Sequence, residues 1–191
     1  INTLEPFARV MDRAVARKGS KALLFEMAGE VFTADEIATL PDDRWLAAFT
    51  KQIFQSGFVW RVVEQKWPDF EDVFFDFDIE KMLLMPDEMW AEKCKDPRII
   101  RNGKKVMTIK DNAQMIYEVS AEHGSFGQFV ANWPSDDIIG LWAYLKKHGA
   151  RLGGNTGPYA LRFMGKDSFL ISQDNEAYFR GHKLIEGGIS S

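Results

Sequence analysis

Apolar side chains recur at three- and four-residue steps along most of this 191-residue chain, and alternating strand-like patterns are scarce. A period near 3.6 residues gathers such side chains on one face of a helix, and that face must be buried. The clearest stripe follows a helix start at Asp42 and consists of Trp45, Leu46, Phe49, Ile53, Phe54 and Gly57. The sequence therefore predicts an all-α fold with a long buried helix that begins near residue 42.

The composition supports one helical domain over residues 1–191. Hydrophobic residues make up 46% of the chain, with 15 Phe and 6 Trp, which is ample material for a core. We see neither a signal peptide nor a run of apolar residues long enough to cross a membrane. We therefore expect a soluble, cytoplasmic monomer.

Cysteine and histidine usage predicts neither a disulfide nor a metal site. Cys94 is the only cysteine, and His123, His148 and His182 lie far apart in the sequence. This pattern has no zinc-ligand spacing, so we expect no structural metal and no cofactor.

Charge is distributed unevenly along the chain. The net charge of -4 argues mildly against a nucleic-acid partner, because phosphate binding depends largely on Lys and Arg. Residues 69–92 are strongly acidic, whereas two later clusters are basic: Arg98, Arg101, Lys104, Lys105 and Lys110, then Lys146, Lys147, Arg151, Arg162 and Lys166. One interpretation is a basic face on an acidic body, and the alternative is that both clusters are solvated helix faces.

Several helix boundaries follow from local signals. Pro68 predicts an interruption, and the run after Gly103 predicts an amphipathic helix that ends near His123. A further helix is expected from about residue 136 to His148, with Ser135 or Asp136 as its cap.

A glycine-rich turn separates that helix from the next one, so that residues 136–165 are expected to form a helix, a hairpin and a second helix. Thr156 fits the cap of the second helix and Pro158 fits its first turn. Three glycines in five residues permit positive φ and leave amides uncovered, namely Gly153, Gly154 and Gly157. Uncovered amides at a helix start bind anions, although most glycine-rich turns only reverse the chain.

Three sequence blocks occur in the order and spacing of a known family. They are the run from Gln55 to Trp60 with Phe70, Phe74 and Phe77; Ile99 to Arg101 with Lys104 or Lys105, Ile109, Asn112 and Ala113; and Lys146 to Gly149 leading into the hairpin. Over roughly residues 42–175 the chain resembles the DNA-3-methyladenine glycosylase I family of helix-hairpin-helix DNA glycosylases. The resemblance implies two helical lobes with a cleft between them.

The resemblance also implies roles in DNA binding. The backbone amides of Gly153, Gly154, Asn155, Thr156 and Gly157 would hold a DNA phosphate, aided by Lys166 or Arg151, without reading base sequence. Phe58 would act as a wedge that fills the space left by an extruded nucleotide. Trp60 would line the base pocket and stack on an electron-poor alkylated purine. The alternative is that Phe58 and Trp60 are core residues.

The chain departs from the family in three respects. Gln52 occupies the place of a glutamate that recognises the methylated base, so it keeps hydrogen bonding but loses the attraction of a carboxylate for a cation. The family's zinc ligands and its N-terminal motif with pocket tyrosines are also missing. Residues 1–30 match nothing in the family, and we treat residues 1–40 as a divergent N-terminal segment.

Asp174 is the candidate catalytic residue, by resemblance to alkylpurine glycosylases of the same superfamily. A carboxylate near C1′ would stabilise the oxocarbenium-like transition state and orient water. Asp167 is the reserve candidate, and the alternative role for Asp174 is to cap a helix over residues 175–180. Pro158 stands where a lyase would carry an amine nucleophile, which predicts a monofunctional enzyme.

Together these features predict a base-excision repair glycosylase. It would hydrolyse the N-glycosidic bond of an alkylated purine flipped out of double-stranded DNA. Two alternatives remain: a non-catalytic module that binds damaged DNA, and a helical protein that uses the scaffold for protein contacts.

Overall fold

The computed structural model describes residues 32–166, and all regular secondary structure in that range is helical. Short 3₁₀ turns at Phe75–Phe77 and Ser135–Asp137 supplement the α-helices. The α-helices are α1 (Ala34–Ala38), α2 (Asp42–Gln55), α3 (Trp60–Val73), α4 (Ile79–Leu84), α5 (Asp87–Lys93), α6 (Gly103–His123), α7 (Phe126–Asn132), α8 (Ile138–His148) and α9 (Thr156–Phe163). The predicted all-α fold is confirmed.

Helix α2 lies at the centre of the fold and packs against α3, α6, α7 and α9. Its stripe is completely or almost completely removed from solvent, as predicted, at Trp45, Leu46, Phe49, Ile53 and Phe54. Gly57 lies beyond the helix, in an exposed loop. Because α2 contacts both α3 and α9, it connects the two regions in which the sequence placed candidate site residues.

The start of α2 is tied to a distant part of the chain through Asp42. Its carboxylate accepts a hydrogen bond from the Ser120 hydroxyl near the end of α6 and another, of 2.9 Å, from the Phe126 amide at the start of α7. This one side chain therefore joins three helices.

Replacing Asp42 by alanine is expected to lower the free energy of unfolding by about 1.5–3 kcal/mol, because a charged acceptor of two hydrogen bonds is lost. Urea denaturation measures this change. Asp35→Ala, at an exposed position in α1, is the control and should cost less than about 1 kcal/mol. Equal losses of unfolding free energy in the two variants would show that the hydrogen bonds of Asp42 do not stabilise the fold.

Two predicted boundaries were wrong. Pro68 lies inside α3 and does not interrupt it. Burial of Val63 and Phe70 on either side of the proline holds the helix together despite the missing amide donor. Helix α8 begins at Ile138, after a 3₁₀ turn, about two residues later than predicted. Neither Ser135 nor Asp136 is its cap, since the capping position belongs to Asp137, whose side chain makes no capping hydrogen bond. The predicted end of α6 at His123 is confirmed.

No helix among residues 32–166 is long and apolar enough to span a lipid bilayer.

Candidate nucleic-acid interface

The predicted hairpin lies between His148 at the end of α8 and Thr156 at the start of α9. Arg151 and Gly154 both adopt left-handed backbone conformations, with φ of 55° and 58°. Gly154 is exposed and has open space where a side chain would stand. At Gly157, by contrast, an added Cβ would come within 2.5 Å of the Leu152 carbonyl oxygen. The glycines thus serve two needs: a sharp turn and a close approach of α9 to the loop.

The first turn of α9 lacks a side-chain cap. Thr156 was predicted to be the cap, but it is the first helical residue, and the capping position belongs to Asn155. Asn155 has a helix-like backbone and its side chain makes no capping hydrogen bond. No side chain covers the first amides of the helix, although the Thr156 amide donates to the Gly153 carbonyl at 3.2 Å. The absence of a side-chain cap suits the binding of an external anion.

A buried asparagine on α6 holds the hairpin in place. The Asn112 side chain is fully buried and makes two hydrogen bonds to Ala150, in the turn after α8. Its Oδ1 accepts from the Ala150 amide at 2.7 Å, and its Nδ2 donates to the Ala150 carbonyl at 3.1 Å. The amide side chain therefore clamps the backbone of the turn against α6.

The two basic clusters approach each other near Arg151. Burial is the main cause that lowers the pKa of Lys105, and the positive charge of Arg151 contributes further. Arg101 and Lys104, which belong to the same basic cluster as Lys105, are exposed. Other members have acidic partners, since Arg98 pairs with Asp72 and Asp96, and Lys110 pairs with Asp87.

Lys166 has a different environment from the one its predicted role requires. Its side chain is buried, and its ammonium donates to the carbonyls of Val130 and Trp133, both at 2.9 Å. These carbonyls belong to the end of α7, where a cation complements the helix dipole. The placement gives no support to a phosphate contact by Lys166, whereas Arg151 is exposed within the hairpin itself.

The loop between α2 and α3 carries the predicted wedge. Phe58 is 45% exposed and Val59 is 62% exposed, so the core alternative for Phe58 does not hold. Gly57 has φ of 66° with nothing within 4 Å of an added Cβ. Two adjacent apolar side chains exposed on one loop suit a contact with a partner.

Gln52 and Trp60 flank this loop. Gln52 is half-buried in the last turn of α2, and Trp60 is the half-buried first residue of α3. The structure therefore places the two predicted base-binding residues on adjacent packed helices, one at each end of the loop that holds Phe58.

A partly buried ion pair beside these residues was not predicted from the sequence. Lys51 Nζ lies 3.0 Å from Glu64 Oε1, and the same oxygen accepts a hydrogen bond from Gln55 Nε2 at 3.2 Å. The Lys51 ammonium also lies 5.4 Å from the ring centre of Trp67 and 5.9 Å from that of Phe163 in α9. The pair thus joins α2, α3 and α9.

The ion pair balances charge next to the predicted base pocket. Lys51 precedes Gln52 in the chain, and Glu64 follows Trp60 by one helical turn. The four-residue spacing of Trp60 and Glu64 was the available signal, since it places both side chains on one face of α3.

Asp174, the candidate catalytic residue, and Asp167, its reserve, lie outside the described residues 32–166. Their predicted role stays a prediction.

Comparison with known proteins places this architecture in a family. A family model described as methyladenine glycosylase matches residues 38–161, which includes the hairpin, Gln52, Phe58 and Trp60. The chain belongs to the methyladenine glycosylase family. A search of curated proteins finds no match.

Solved structures of 3-methyladenine DNA glycosylase I are similar to this member of the family. One crystal structure has a TM-score of 0.54 and 22% sequence identity, over 66% of this chain and 78% of that chain. The enzyme from Staphylococcus aureus has a TM-score of 0.55 and 20% identity, over 78% of this chain and 86% of that chain. A tyrosine-to-phenylalanine mutant in complex with 3-methyladenine has a TM-score of 0.55 and 20% identity, over 78% and 87%. These similarities establish a shared fold.

Proposed function

We propose that this chain is a monofunctional DNA glycosylase of base-excision repair. It flips an alkylated purine of the 3-methyladenine type out of double-stranded DNA and hydrolyses the N-glycosidic bond. Membership of the methyladenine glycosylase family is the observation that carries the proposal. Double-stranded DNA with a damaged base is the partner, while a monomeric state and a cytoplasmic location remain predictions from the sequence.

The hairpin supports the first step, which is the grip on the DNA backbone. In this proposal the helix-hairpin-helix of residues 136–165 binds phosphate through backbone amides of the glycine-rich turn, with Arg151 as the neighbouring cation. The exposed Gly154 leaves room for a phosphate oxygen to approach the backbone. Contacts of this kind hold the duplex without regard to base sequence.

The adjacent helix ends support the second step, which is base extrusion. Phe58 enters the base stack, and the extruded purine stacks on Trp60 and exchanges hydrogen bonds with Gln52. One of the similar structures holds 3-methyladenine. An alkylated purine is also a good leaving group, because its positive charge weakens the glycosidic bond.

Single-turnover release of free base from methylated duplex DNA tests the proposal. The wild type is expected to release 3-methyladenine, and Asp174→Asn is expected to bind the same DNA while releasing it at least about 100-fold more slowly. Binding by the wild type without any base release would favour the non-catalytic module. Absent or salt-independent binding would exclude both DNA-directed functions.

Gly154→Val is expected to weaken binding of an abasic-analogue duplex by about tenfold, because the new side chain stands where a phosphate would approach. Fluorescence anisotropy at fixed salt measures the affinity. Gly124→Val, which also forces a side chain into positive φ but at the far end of α6, is the control for backbone strain. Its new side chain displaces the end of the exposed Gln128 side chain, and the variant should bind normally. Equal weakening in the two variants would assign the effect to backbone strain.

A further inference from the structure

Three lysine side chains in the described part of the chain bind carbonyls at helix C-terminal ends. Lys93 binds Val73 at the end of α3, Lys166 binds the end of α7, and Lys105 binds the end of α2. Each ammonium satisfies carbonyl groups that a helix end leaves without internal partners. Lys105 differs from the other two because the chain end that it holds continues directly into the loop with Phe58.

The Lys105 ammonium binds the last turn of α2 and the first residue of this loop. Its Nζ lies 2.8 Å from the Ser56 carbonyl oxygen and 3.3 Å from that of Phe54. The ammonium also lies 5.9 Å from the centre of the Phe54 ring, and the residue as a whole is only 9% exposed. Ser56 stands two residues before Phe58, so the grip is made at the base of the exposed loop.

The rest of the loop has few constraints of its own. Gly57 has no neighbour within 4 Å of an added Cβ, and the Phe58 amide donates to Gln55 at 3.2 Å. A glycine in an open turn loses much conformational freedom when it is ordered. The Ser56 amide also donates to Gln52, and the Val59 carbonyl accepts from the Val62 amide, both at 3.0 Å. These bonds are local, whereas the contact with Lys105 ties the loop to a distant part of the chain.

Burial of an ammonium is costly, and here it is opposed by a second positive charge. Burial lowers the pKa of Lys105, and Arg151 lowers it further. A buried ammonium lowers stability unless its hydrogen bonds offset the cost of removing the charge from water. Its presence here is consistent with a role in fixing one conformation of the loop. Asn112 lies seven residues further along α6 and therefore on the same face, where it clamps the hairpin. One face of α6 thus holds both loops of the proposed DNA surface.

We propose that Lys105 is a positioning residue that holds the loop of residues 56–59 so that Phe58 enters the base stack. Lys105 acts on extrusion of the damaged nucleotide, and its buried ammonium does not contact a phosphate. This inference rests on the proposed glycosylase function.

The test compares Lys105→Met with Lys93→Met, a matched loss of a helix-capping lysine away from the loop. Extrusion is followed by the fluorescence of 2-aminopurine placed beside the lesion, and backbone binding by affinity for an undamaged duplex. Lys105→Met is expected to reduce the extrusion signal and single-turnover base release by about tenfold, a modest part of the cost of unstacking. Its affinity for undamaged DNA and the salt dependence of that affinity should match those of the wild type. Lys93→Met should match the wild type in extrusion signal, base release, affinity and salt dependence.

A double-mutant cycle with Phe58→Ala connects the effect to the wedge. If Lys105 acts through Phe58, Lys105→Met should cause little further loss of extrusion in the Phe58→Ala background, while independent effects would add. Lys105→Arg, which keeps charge and donors, should restore part of the extrusion signal. If Lys105→Met does not fold, Lys105→Gln keeps one donor and takes its place, with a smaller expected loss.

The outcomes separate this inference from the proposed function. A wild type that neither extrudes nor releases base would refute the glycosylase function. A functional wild type with additive effects in the cycle, or with equal losses in Lys105→Met and Lys93→Met, would overturn the role of Lys105 alone. A parallel fall in affinity for undamaged DNA would identify Lys105 as a phosphate contact and would also overturn the inference.

Discussion

Replacement of Asn112 by alanine is expected to lower the free energy of unfolding by about 2–4 kcal/mol and to weaken binding of an abasic-analogue duplex by about tenfold or more. The substitution removes both hydrogen bonds to Ala150 and leaves a backbone donor and acceptor there without their partner. The turn that carries Arg151 and the glycines then loses its anchor on α6. Urea denaturation and fluorescence anisotropy measure the two effects.

Gln114→Ala is the matched control, since this amide lies on the same helix but is exposed and bonds only within the helix, to Glu118. It should change both quantities little. The affinity is measured without denaturant, where the Asn112→Ala variant is still folded. Wild-type affinity in this destabilised variant would show that the hairpin geometry does not determine binding.

Gln52→Glu is expected to accelerate release of 3-methyladenine from methylated DNA by about 10- to 100-fold. A carboxylate would form charge-assisted hydrogen bonds with the cationic purine, each worth about 1.5–3 kcal/mol, where the amide forms neutral ones. Release of a neutral base such as hypoxanthine should not increase. Single-turnover kinetics with the two substrates measures the difference.

Gln65→Glu introduces the same charge at an exposed position on α3 and serves as the control. An equal gain in this variant would mean that net charge, and not contact with the base, changes the rate. A fall in 3-methyladenine release by Gln52→Glu would indicate that the added carboxylate binds Lys51 and disturbs the ion pair with Glu64.

The helices were predictable from the sequence where a single periodic stripe determined them. The stripe from Trp45 to Phe54 identified α2, because burial of one helix face imposes that spacing. The interruption predicted at Pro68 was wrong, since the local cost of proline in a helix is smaller than the gain from packing the aromatic residues around it. The hairpin was also found correctly as a turn between helices, although its cap was misassigned by one residue.

The contacts that hold the candidate site could not be predicted because they join distant parts of the chain. Asn112 and Ala150 are 38 residues apart, and nothing in the local sequence indicates that this amide binds the backbone. Lys105 and Lys166 belong to basic clusters in the sequence, yet both side chains are buried against helix ends. A run of Lys and Arg residues forms a basic surface only if each side chain reaches solvent, and this depends on tertiary packing.

The central claim is that the hairpin grips one DNA strand and thereby presents a nucleotide to the helix ends that carry Gln52 and Trp60. A crystal structure of the protein with a duplex that contains an abasic-site analogue tests it most directly. We expect a phosphate oxygen within hydrogen-bonding distance of backbone amides in residues 154–157, with Phe58 inserted into the base stack. A duplex bound elsewhere on the molecule, with the hairpin free of phosphate, would contradict it.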